Sequence, residues 1–333
     1  MPIIKTIITI LIIFFLVSCN YEKKVTPLSN KVANNESKLI NKLDTLTNMN
    51  YIFNKQKIHI NDNGILLDQL DNAATSDNKG NFYFVGMHNQ KIYKINSKGT
   101  VVNSFGNLGR GPGEYLYVEA ITTDNKGNIY VGDLIGRKII KYDSLFNYLF
   151  EFRTETAYPF SDIEINSKGN LVCYFPQDLK AAIHVYDTVT GKLLNTFGTA
   201  DILAIKYGAA YSNKSLIVNR NGVYYINPLE YEIFHYDKNN SIDVIKPKEH
   251  GYFSEIKSHP KNPFERNFSL IRSLFLYDNL FFVGISNVIG VGSSRRVLTK
   301  FDILTQNGEL VRKDLPFKDY FFLKHISGKN TFL

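Results

Sequence analysis

The chain has 333 residues, of which 44% are hydrophobic and 21% charged, a balance that is typical of a globular protein and excludes a wholly disordered one. It contains 24 Phe and 21 Tyr but no Trp. Aromatic residues at this density favour β-strands, because flat rings pack well on a pleated surface. The net charge is +8, but Lys and Arg are scattered along the chain. We therefore predict an ordinary solvated surface and no nucleic-acid partner.

The N-terminus resembles the signal sequence of a bacterial lipoprotein. Lys5 precedes an apolar run, residues 7–17, that is well short of the roughly 20 residues that a membrane-spanning helix needs. Leu16-Val17-Ser18-Cys19 follows directly and resembles the lipobox. This resemblance implies cleavage after Ser18 and acylation of Cys19, with enough hydrocarbon for stable anchoring. The alternative is an ordinary secretory signal with an incidental cysteine.

Residues 19–50 are rich in Asn, Lys and Ser and lack the alternation of strands, so they are predicted to form a flexible tether between the lipid and a folded domain. Cys173 is the second cysteine of the chain, and it has no disulfide partner if Cys19 carries lipid. We expect a protein of the cell envelope that the lipid anchors to the outer membrane. Whether it faces the periplasm or the cell surface stays open.

A hairpin turn recurs six times after residue 70. Each copy begins with Asp, Asn or Ser, continues with Gly or Asn, and ends in an aromatic or β-branched run, as a tight turn between two strands requires. The equivalent turn positions are Gly80, Gly127, Gly169, Gly222, Asn279 and Gly328. Their spacing of 42 to 57 residues is typical of the blades of a β-propeller.

Two further strands follow most of the turns. The third strand of a unit alternates apolar and polar residues, as in Ile92-Tyr-Lys-Ile and Ile183-His-Val-Tyr, and is predicted to have one buried face. A fourth strand follows another turn, for example at 100–105 and 193–197. The Gly284–Arg296 insert is predicted to extend a hairpin, and the function of the long Lys246–Asn267 insert stays open.

The sixth unit ends soon after its turn, at Leu333, whereas residues 51–67 precede the first unit without a hairpin of their own. An open sheet edge is a liability, so we predict that residues 51–67 complete the last blade. The predicted fold is all-β: a six-bladed β-propeller over residues 51–333, with four-stranded blades and a ring closed by the N- and C-terminal strands. Residues 1–18 form the signal peptide and 19–50 the tether.

Two stretches carry a family resemblance. Gly127-Asn-Ile-Tyr-Val-Gly-Asp133 is followed by Arg137-Lys-Ile-Ile-Lys-Tyr-Asp143 and preceded by Gly109-Arg-Gly-Pro-Gly-Glu-Tyr115. The pattern resembles the six-bladed β-propeller lipoproteins of the Bacteroidetes, which are similar to NHL-repeat propellers. It covers about residues 51–333 and is clearest in 70–200. The resemblance implies a fold and a location in the envelope more than a function.

The Gly-rich loop 106–115 is the first candidate site. It lacks the Gly-Lys-Ser/Thr of a phosphate-binding loop, and Pro112 removes a backbone donor. It connects the outer strand of one blade to the inner strand of the next, on the face where propellers usually bind ligands. Arg110 and Glu114 are therefore candidate ligand-binding residues near the central channel. Alternatively, the two side chains pair with each other and hold the crossing in place.

The starts of the inner strands supply the second candidate site. Asn72, Glu119 and Asp162 are predicted to surround the axis, with Asp319 as a further candidate. Carboxylate and amide oxygens suit a hard divalent cation such as Ca²⁺, and propeller lactonases hold their metal in this way. Glu119 and Asp162 are also candidate ligand-binding residues. The alternative is that these groups only hydrate the channel.

The remaining polar residues suggest no further catalytic site. The seven histidines have no metal-binding spacing, His184 and His235 are predicted to be half-buried structural residues, and Cys173 is predicted to be inert in a buried strand. Our leading hypothesis is a membrane-anchored extracytoplasmic module that binds a small ligand or an envelope protein. A metal-dependent hydrolase or lyase with its site on the axis is the alternative, and a scaffold without a small ligand is a third possibility.

Overall fold

The computed structural model of the chain describes residues 9–14, 55–202, 205, 214–239, 241–248, 268–290, 296–316, 325–326 and 331–332. Its strands are numbered along the chain, beginning with β1 (Thr9–Phe14) and β2 (Lys55–His59), which belong to the last of the sheets described below. Within the described residues no helix is both apolar and long enough to cross a bilayer.

Five blades each contain four antiparallel strands that follow one another both in the chain and in the sheet. Blades 1 and 2 are separated by a pair of short parallel strands, β7 and β8. In chain order the strands of these blades are β3 (Leu70–Ser76), β4 (Phe82–Gly86), β5 (Ile92–Ile95) and β6 (Val101–Phe105) in blade 1, then β7 (Asn107–Leu108) and β8 (Glu114–Tyr115), then β9 (Val118–Thr123), β10 (Ile129–Asp133), β11 (Lys138–Tyr142) and β12 (Tyr148–Arg153) in blade 2.

The next three blades repeat this arrangement, and the strands of blade 5 are the longest. They are β13 (Asp162–Ile165), β14 (Leu171–Tyr174), β15 (Ile183–Tyr186) and β16 (Leu193–Phe197) in blade 3, β17 (Leu216–Asn219), β18 (Gly222–Ile226), β19 (Ile233–Tyr236) and β20 (Ile242–Ile245) in blade 4, and β21 (Phe268–Tyr277), β22 (Leu280–Ile289), β23 (Arg296–Thr305) and β24 (Leu310–Pro316) in blade 5. The extended hairpin predicted at 284–296 is confirmed by β22 and β23. Most of the Lys246–Asn267 insert lies outside the described residues.

The first strand of each blade is its inner strand. β3 contacts β9, β9 contacts β13, β13 contacts β17 and β17 contacts β21, so these strands follow one another around the centre of the propeller. The predicted turn between the first two strands is present in all five blades. Its Gly or Asn has a positive φ each time, from 63° at Asn279 to 143° at Gly222, a conformation that favours these two residue types. The sixth predicted turn position, Gly328, lies outside the described residues.

The sixth sheet joins strands from the two ends of the described chain. Its order is β2-β1-β26-β25, where β25 is His325–Ile326 and β26 is Thr331–Phe332. β2, from the segment that was predicted to complete the last blade, lies in this sheet, but it pairs with β1 and not with β25 or β26, so closure of the ring by this segment stays a prediction. The third strand, β1, comes from the apolar leader and pairs with both β2 and β26. Cleavage at the predicted lipobox would remove β1 from this sheet.

Residues 60–67 connect this sheet to blade 1. The backbone N–H of Asn61 donates to the carbonyl of Gly99, and the N–H of Val101 donates to the carbonyl of Asn61. Ile65 and Leu67 then pack against the apolar core of blade 1. The segment before the first predicted repeat is therefore attached on both sides, by strand pairing and by apolar packing.

The apolar core lies between neighbouring blades. One cluster joins Tyr83 and Val85 of blade 1 to Ile121 and Ile140 of blade 2, and similar clusters join the blades that follow. Because blades pack face to face, their central strands are buried on both sides. Strand β11 is buried at all five positions, including its two lysines, Lys138 and Lys141. The prediction of one buried face per third strand is therefore wrong for β11 and β15.

Candidate functional site

Three residues from the starts of inner strands meet near the centre of the propeller. The ammonium group of Lys214 lies 2.7 Å from the carbonyl oxygen of Glu119, 3.0 Å from the carbonyl oxygen of Ser161 and 3.5 Å from Oε1 of Glu119. Glu119 belongs to blade 2, Ser161 immediately precedes the inner strand of blade 3, and Lys214 precedes that of blade 4. Together with the adjacent Asp162, we call this group the inner-strand cluster.

The charges of this cluster are buried. Lys214 is 3% exposed and Glu119 8% exposed. An ammonium group withdrawn from water is stable only when acceptors and a counter-charge replace its hydration shell. Two carbonyl oxygens and one carboxylate provide both. The backbone of Lys214 also bonds to blade 5, since its N–H donates to Arg272 and its carbonyl accepts from Leu274.

Asp162 is more deeply buried than Glu119, with 1% exposure. Its Oδ1 accepts a hydrogen bond from the N–H of Ile163. Asn72 lies in β3, but its side chain is outside the described part of the structure, as is Asp319 altogether. The described residues include no group of three or more His, Cys, Asp or Glu side chains that could hold a metal ion.

The ammonium of Lys214 changes the electrostatics expected for this site. The sequence-based hypothesis places a divalent cation beside Glu119 and Asp162. A divalent cation at Glu119 would have to displace the ammonium or lie beside it, and like charges at such short distances repel strongly in a buried site. The structure thus places a protein-borne cation where a bound metal was predicted.

Arg110 and Glu114 lie apart from this cluster. Glu114 Oε2 accepts a hydrogen bond from the N–H of Gly111 and so closes the Gly-rich turn. Arg110 is exposed and lines a cavity of 240 Å³ together with Lys138, Glu151 and other residues. Lys138 and Glu151 belong to the third and fourth strands of blade 2, which are far from its inner strand. Among the described contacts, no ion pair joins Arg110 to Glu114.

Tyr115 fixes the path of the crossing loop. Its side chain is fully buried, and its hydroxyl donates a 2.7 Å hydrogen bond to the carbonyl of Gln90 in blade 1. A Cβ at Gly106 would overlap this hydroxyl, and the φ of Gly106 is +84°, so the position requires glycine on both grounds. The Gly-rich sequence therefore serves the packing of the crossing.

Cys173 and His184 lie in the core of blade 3, whereas His235 is half-buried in β19 of blade 4. Cys173 is buried, and burial together with the charge of Asp162 raises the pKa of its thiol well above the ordinary range, which makes it a poor nucleophile. His184 is buried, with Nε2 3.2 Å from Oδ2 of Asp178 and Nδ1 3.2 Å from the hydroxyl of Tyr186. Burial lowers the pKa of His184, and the Asp178 carboxylate opposes that shift.

Lys214 is the residue that the sequence interpretation missed, although a signal for it exists. Glu119, Ser161 and Lys214 each lie eight residues before a turn glycine, namely Gly127, Gly169 and Gly222. A comparison of the units at that single position would have placed a lysine next to Glu119. The hydrogen bonds from the Lys214 ammonium to two backbone carbonyls could not be predicted from the sequence.

The comparisons with known proteins agree with this architecture. A family model described as a 6-bladed beta-propeller matches residues 63–262. No curated protein matches the chain. Among solved structures, a protein of Bacteroides fragilis described as exported is 16% identical, with a TM-score of 0.57 over 79% of this chain and 76% of that one.

Two further structures have a similar shape. A member of the DUF4221 family from Bacteroides vulgatus is 10% identical, with a TM-score of 0.52 over 74% of this chain and 80% of that one. U3-55K is 12% identical, with a TM-score of 0.52 over 79% of this chain and 86% of that one. At such identities the likeness concerns the fold alone.

Proposed function

Because the chain belongs to the DUF5128 family of 6-bladed beta-propellers, we propose that it is an exported, lipid-anchored module that binds a small ligand or an envelope protein and performs no catalysis. Its lipid is attached at Cys19, and residues 19–50 hold the propeller away from the outer membrane. The lipobox-like sequence supports the anchor. The likeness to an exported protein of Bacteroides fragilis is consistent with the location.

The inner-strand cluster is the observation that favours a binding module over a metal-dependent enzyme. A metal-dependent hydrolase or lyase needs carboxylates that are free to hold a cation and an open coordination position for substrate. Here the carboxylate of Glu119 faces the ammonium of Lys214 at 3.5 Å, and that ammonium is held by two further oxygen atoms. Lys214 thus balances the charge of Glu119 within the protein, which favours a structural role for this carboxylate over a metal-dependent reaction site.

The anchor is tested by metabolic labelling with palmitate in a Gram-negative host that processes lipoproteins. We expect the native chain to carry the label and to separate with the detergent phase, whereas Cys19→Ser loses the label. Cys173→Ser is a matched control because it removes the other cysteine, which is buried, and it should keep the label. Labelled protein in the Cys19→Ser strain would contradict acylation at this residue.

The absence of a catalytic metal is tested on the purified protein after extensive dialysis without chelator. We expect elemental analysis to find less divalent metal than protein, and the same amount in Glu119→Gln. If instead the native protein retains an equimolar ion that Glu119→Gln loses, the metal-dependent hydrolase or lyase becomes the better proposal. Activity assays on lactones would then follow with the same pair of proteins.

A further inference from the structure

A carboxylate, a tyrosine and a lysine recur together in blades 1 and 2. In blade 1, Tyr83 lies directly opposite Lys94, whose ammonium is 5.6 Å from the centre of the tyrosine ring, and the tyrosine hydroxyl donates to Asp77. Asp124, Tyr130 and Lys141 repeat this arrangement in blade 2, with the ammonium 5.3 Å from the ring. These side chains occupy space between one blade and the next: Lys141, for example, donates to the carbonyl of Thr188 in blade 3.

Blade 3 replaces all three members of this triad. Asn166 stands at the carboxylate position, and Val172 lies directly opposite Val185 where the tyrosine and lysine would pair. The three changes belong together, since the carboxylate serves the tyrosine hydroxyl and the tyrosine ring supports the lysine. The space that they leave is a groove of 320 Å³ between blades 3 and 4, which both valines line. We call it the blade 3–4 groove.

The groove has an apolar floor and a positively charged rim. Val218 and Val223 of blade 4 face the two valines of blade 3. Lys168, Arg220 and Lys238 line the groove from three turns, all three are exposed, and no ion pair involves them among the described residues.

Asp237 is the one carboxylate among the lining residues. Its Oδ1 already accepts hydrogen bonds from the backbone N–H groups of Asn239 and Ser241. The three cations of the rim therefore outnumber the negative charge, and the side chains of Asn166, Asn170 and Asn195 add hydrogen-bonding groups to the same groove.

We propose that the blade 3–4 groove binds a small organic anion with an apolar body, such as an aromatic or branched carboxylate. The volume lies at the small end of the range for ligand pockets, which suits a metabolite-sized molecule. The valine floor buries the apolar body, and the Lys and Arg side chains form charge-assisted hydrogen bonds with the carboxylate. This inference deepens the proposed binding function by naming a ligand class, and it rests on that function.

The first test refills the groove with the triad of blade 2. The variant Asn166→Asp/Val172→Tyr/Val185→Lys installs side chains that the same repeat position already accommodates in two blades. Ligand-observed NMR on the purified full-length protein measures binding of 2-naphthoate. We expect the affinity for naphthoate to fall more than about tenfold in this variant, because the pocket for the ring is filled. Unchanged affinity in a variant that melts like the native protein would overturn the proposal.

The second test separates charge from apolar contact. Lys168→Gln/Arg220→Gln should weaken naphthoate binding about tenfold and leave binding of the uncharged 2-naphthamide nearly unchanged. Lys79→Gln/Lys126→Gln, which changes lysines of the equivalent turns of blades 1 and 2, is the matched control and should bind naphthoate like the native chain. Equal losses in both double variants, or none in either, would contradict an anion site in this groove.

Different measurements test the non-catalytic function and the ligand site in the groove. A metal that depends on Glu119 would overturn the non-catalytic function while leaving naphthoate binding unaffected. If neither groove variant weakens naphthoate binding, the proposed ligand site is wrong, although the palmitate label and the metal content remain as expected.

Discussion

Lys214→Met is expected to lower the free energy of unfolding by about 4 kcal/mol, as is typical when one partner of a buried ion pair is removed. The substitution keeps most of the side-chain volume but removes the ammonium. The Glu119 carboxylate, 8% exposed, then loses its counter-charge, and the carbonyls of Glu119 and Ser161 lose their donor. Urea unfolding of the purified protein, followed by circular dichroism, measures the loss.

Two further variants make this result specific. Lys98→Met carries the same substitution at an exposed lysine and should cost less than about 0.5 kcal/mol. Glu119→Gln should cost less than Lys214→Met, because the two carbonyl acceptors of the ammonium remain. A Lys214→Met protein within about 1 kcal/mol of the native stability would show that this ammonium does not hold the inner strands together.

Asp77→Ala is expected to lower the free energy of unfolding by about 3 kcal/mol, because it leaves buried donors without an acceptor. Oδ1 of Asp77 accepts from the N–H groups of Lys79 and Asn81, and Oδ2 accepts from the Asn81 side chain and the Tyr83 hydroxyl. Tyr83 is 1% exposed, so water cannot replace the lost acceptor. A double-mutant cycle with Tyr83→Phe should show strong coupling between the two residues.

The control for this prediction lies in the next blade. Asp143 makes the same three contacts within an exposed turn, to Leu145 and to the backbone and side chain of Asn147, but no described tyrosine bonds to it. Asp143→Ala should therefore cost much less than Asp77→Ala. Equal losses at the two positions would mean that the turn, and not the buried tyrosine, determines the effect.

The loss at Asp77 should also depend on pH. Burial alone would raise the pKa of Asp77, but hydrogen bonds from Asn81, Lys79 and Tyr83 outweigh burial and hold the pKa below its ordinary value. A carboxyl group with a lowered native pKa stabilises the fold above the unfolded pKa of about 3.9 and loses this effect as the pH falls. The stability difference between the native protein and Asp77→Asn should thus be constant above about pH 5 and shrink as the pH falls below about 4.

The blades could be predicted because their turns are local. Asp or Asn followed by Gly or Asn specifies a hairpin within a few residues, and five such turns have the predicted positive φ. The place of β1 could not be predicted, because an apolar run rich in Ile and Phe suits both a signal peptide and a strand. Its partners, β2 and β26, lie far away in the chain.

The candidate site was predictable only in part. The inner-strand positions of Glu119 and Asp162 follow from the repeat, and the structure places both residues there. Lys214 escaped notice because lysine is rarely buried and because its ligands are mainly backbone carbonyls. The position of Arg110 depends on the packing of Tyr115 against blade 1, a tertiary contact that the loop sequence does not specify.

The contacts of Lys214 also bear on how the chain folds. In repeat proteins of the solenoid type each unit touches only its neighbours, so units are added one after another. Here the ammonium joins blade 4 to blade 2 across 95 residues of sequence, and the backbone of the same residue joins blade 5. Such long-range contacts form late, after the loops between them have closed. We therefore expect blades 2 to 5 to unfold as a single cooperative unit. In an emerging chain that stops short of Lys214, the carboxylate of Glu119 lacks its partner.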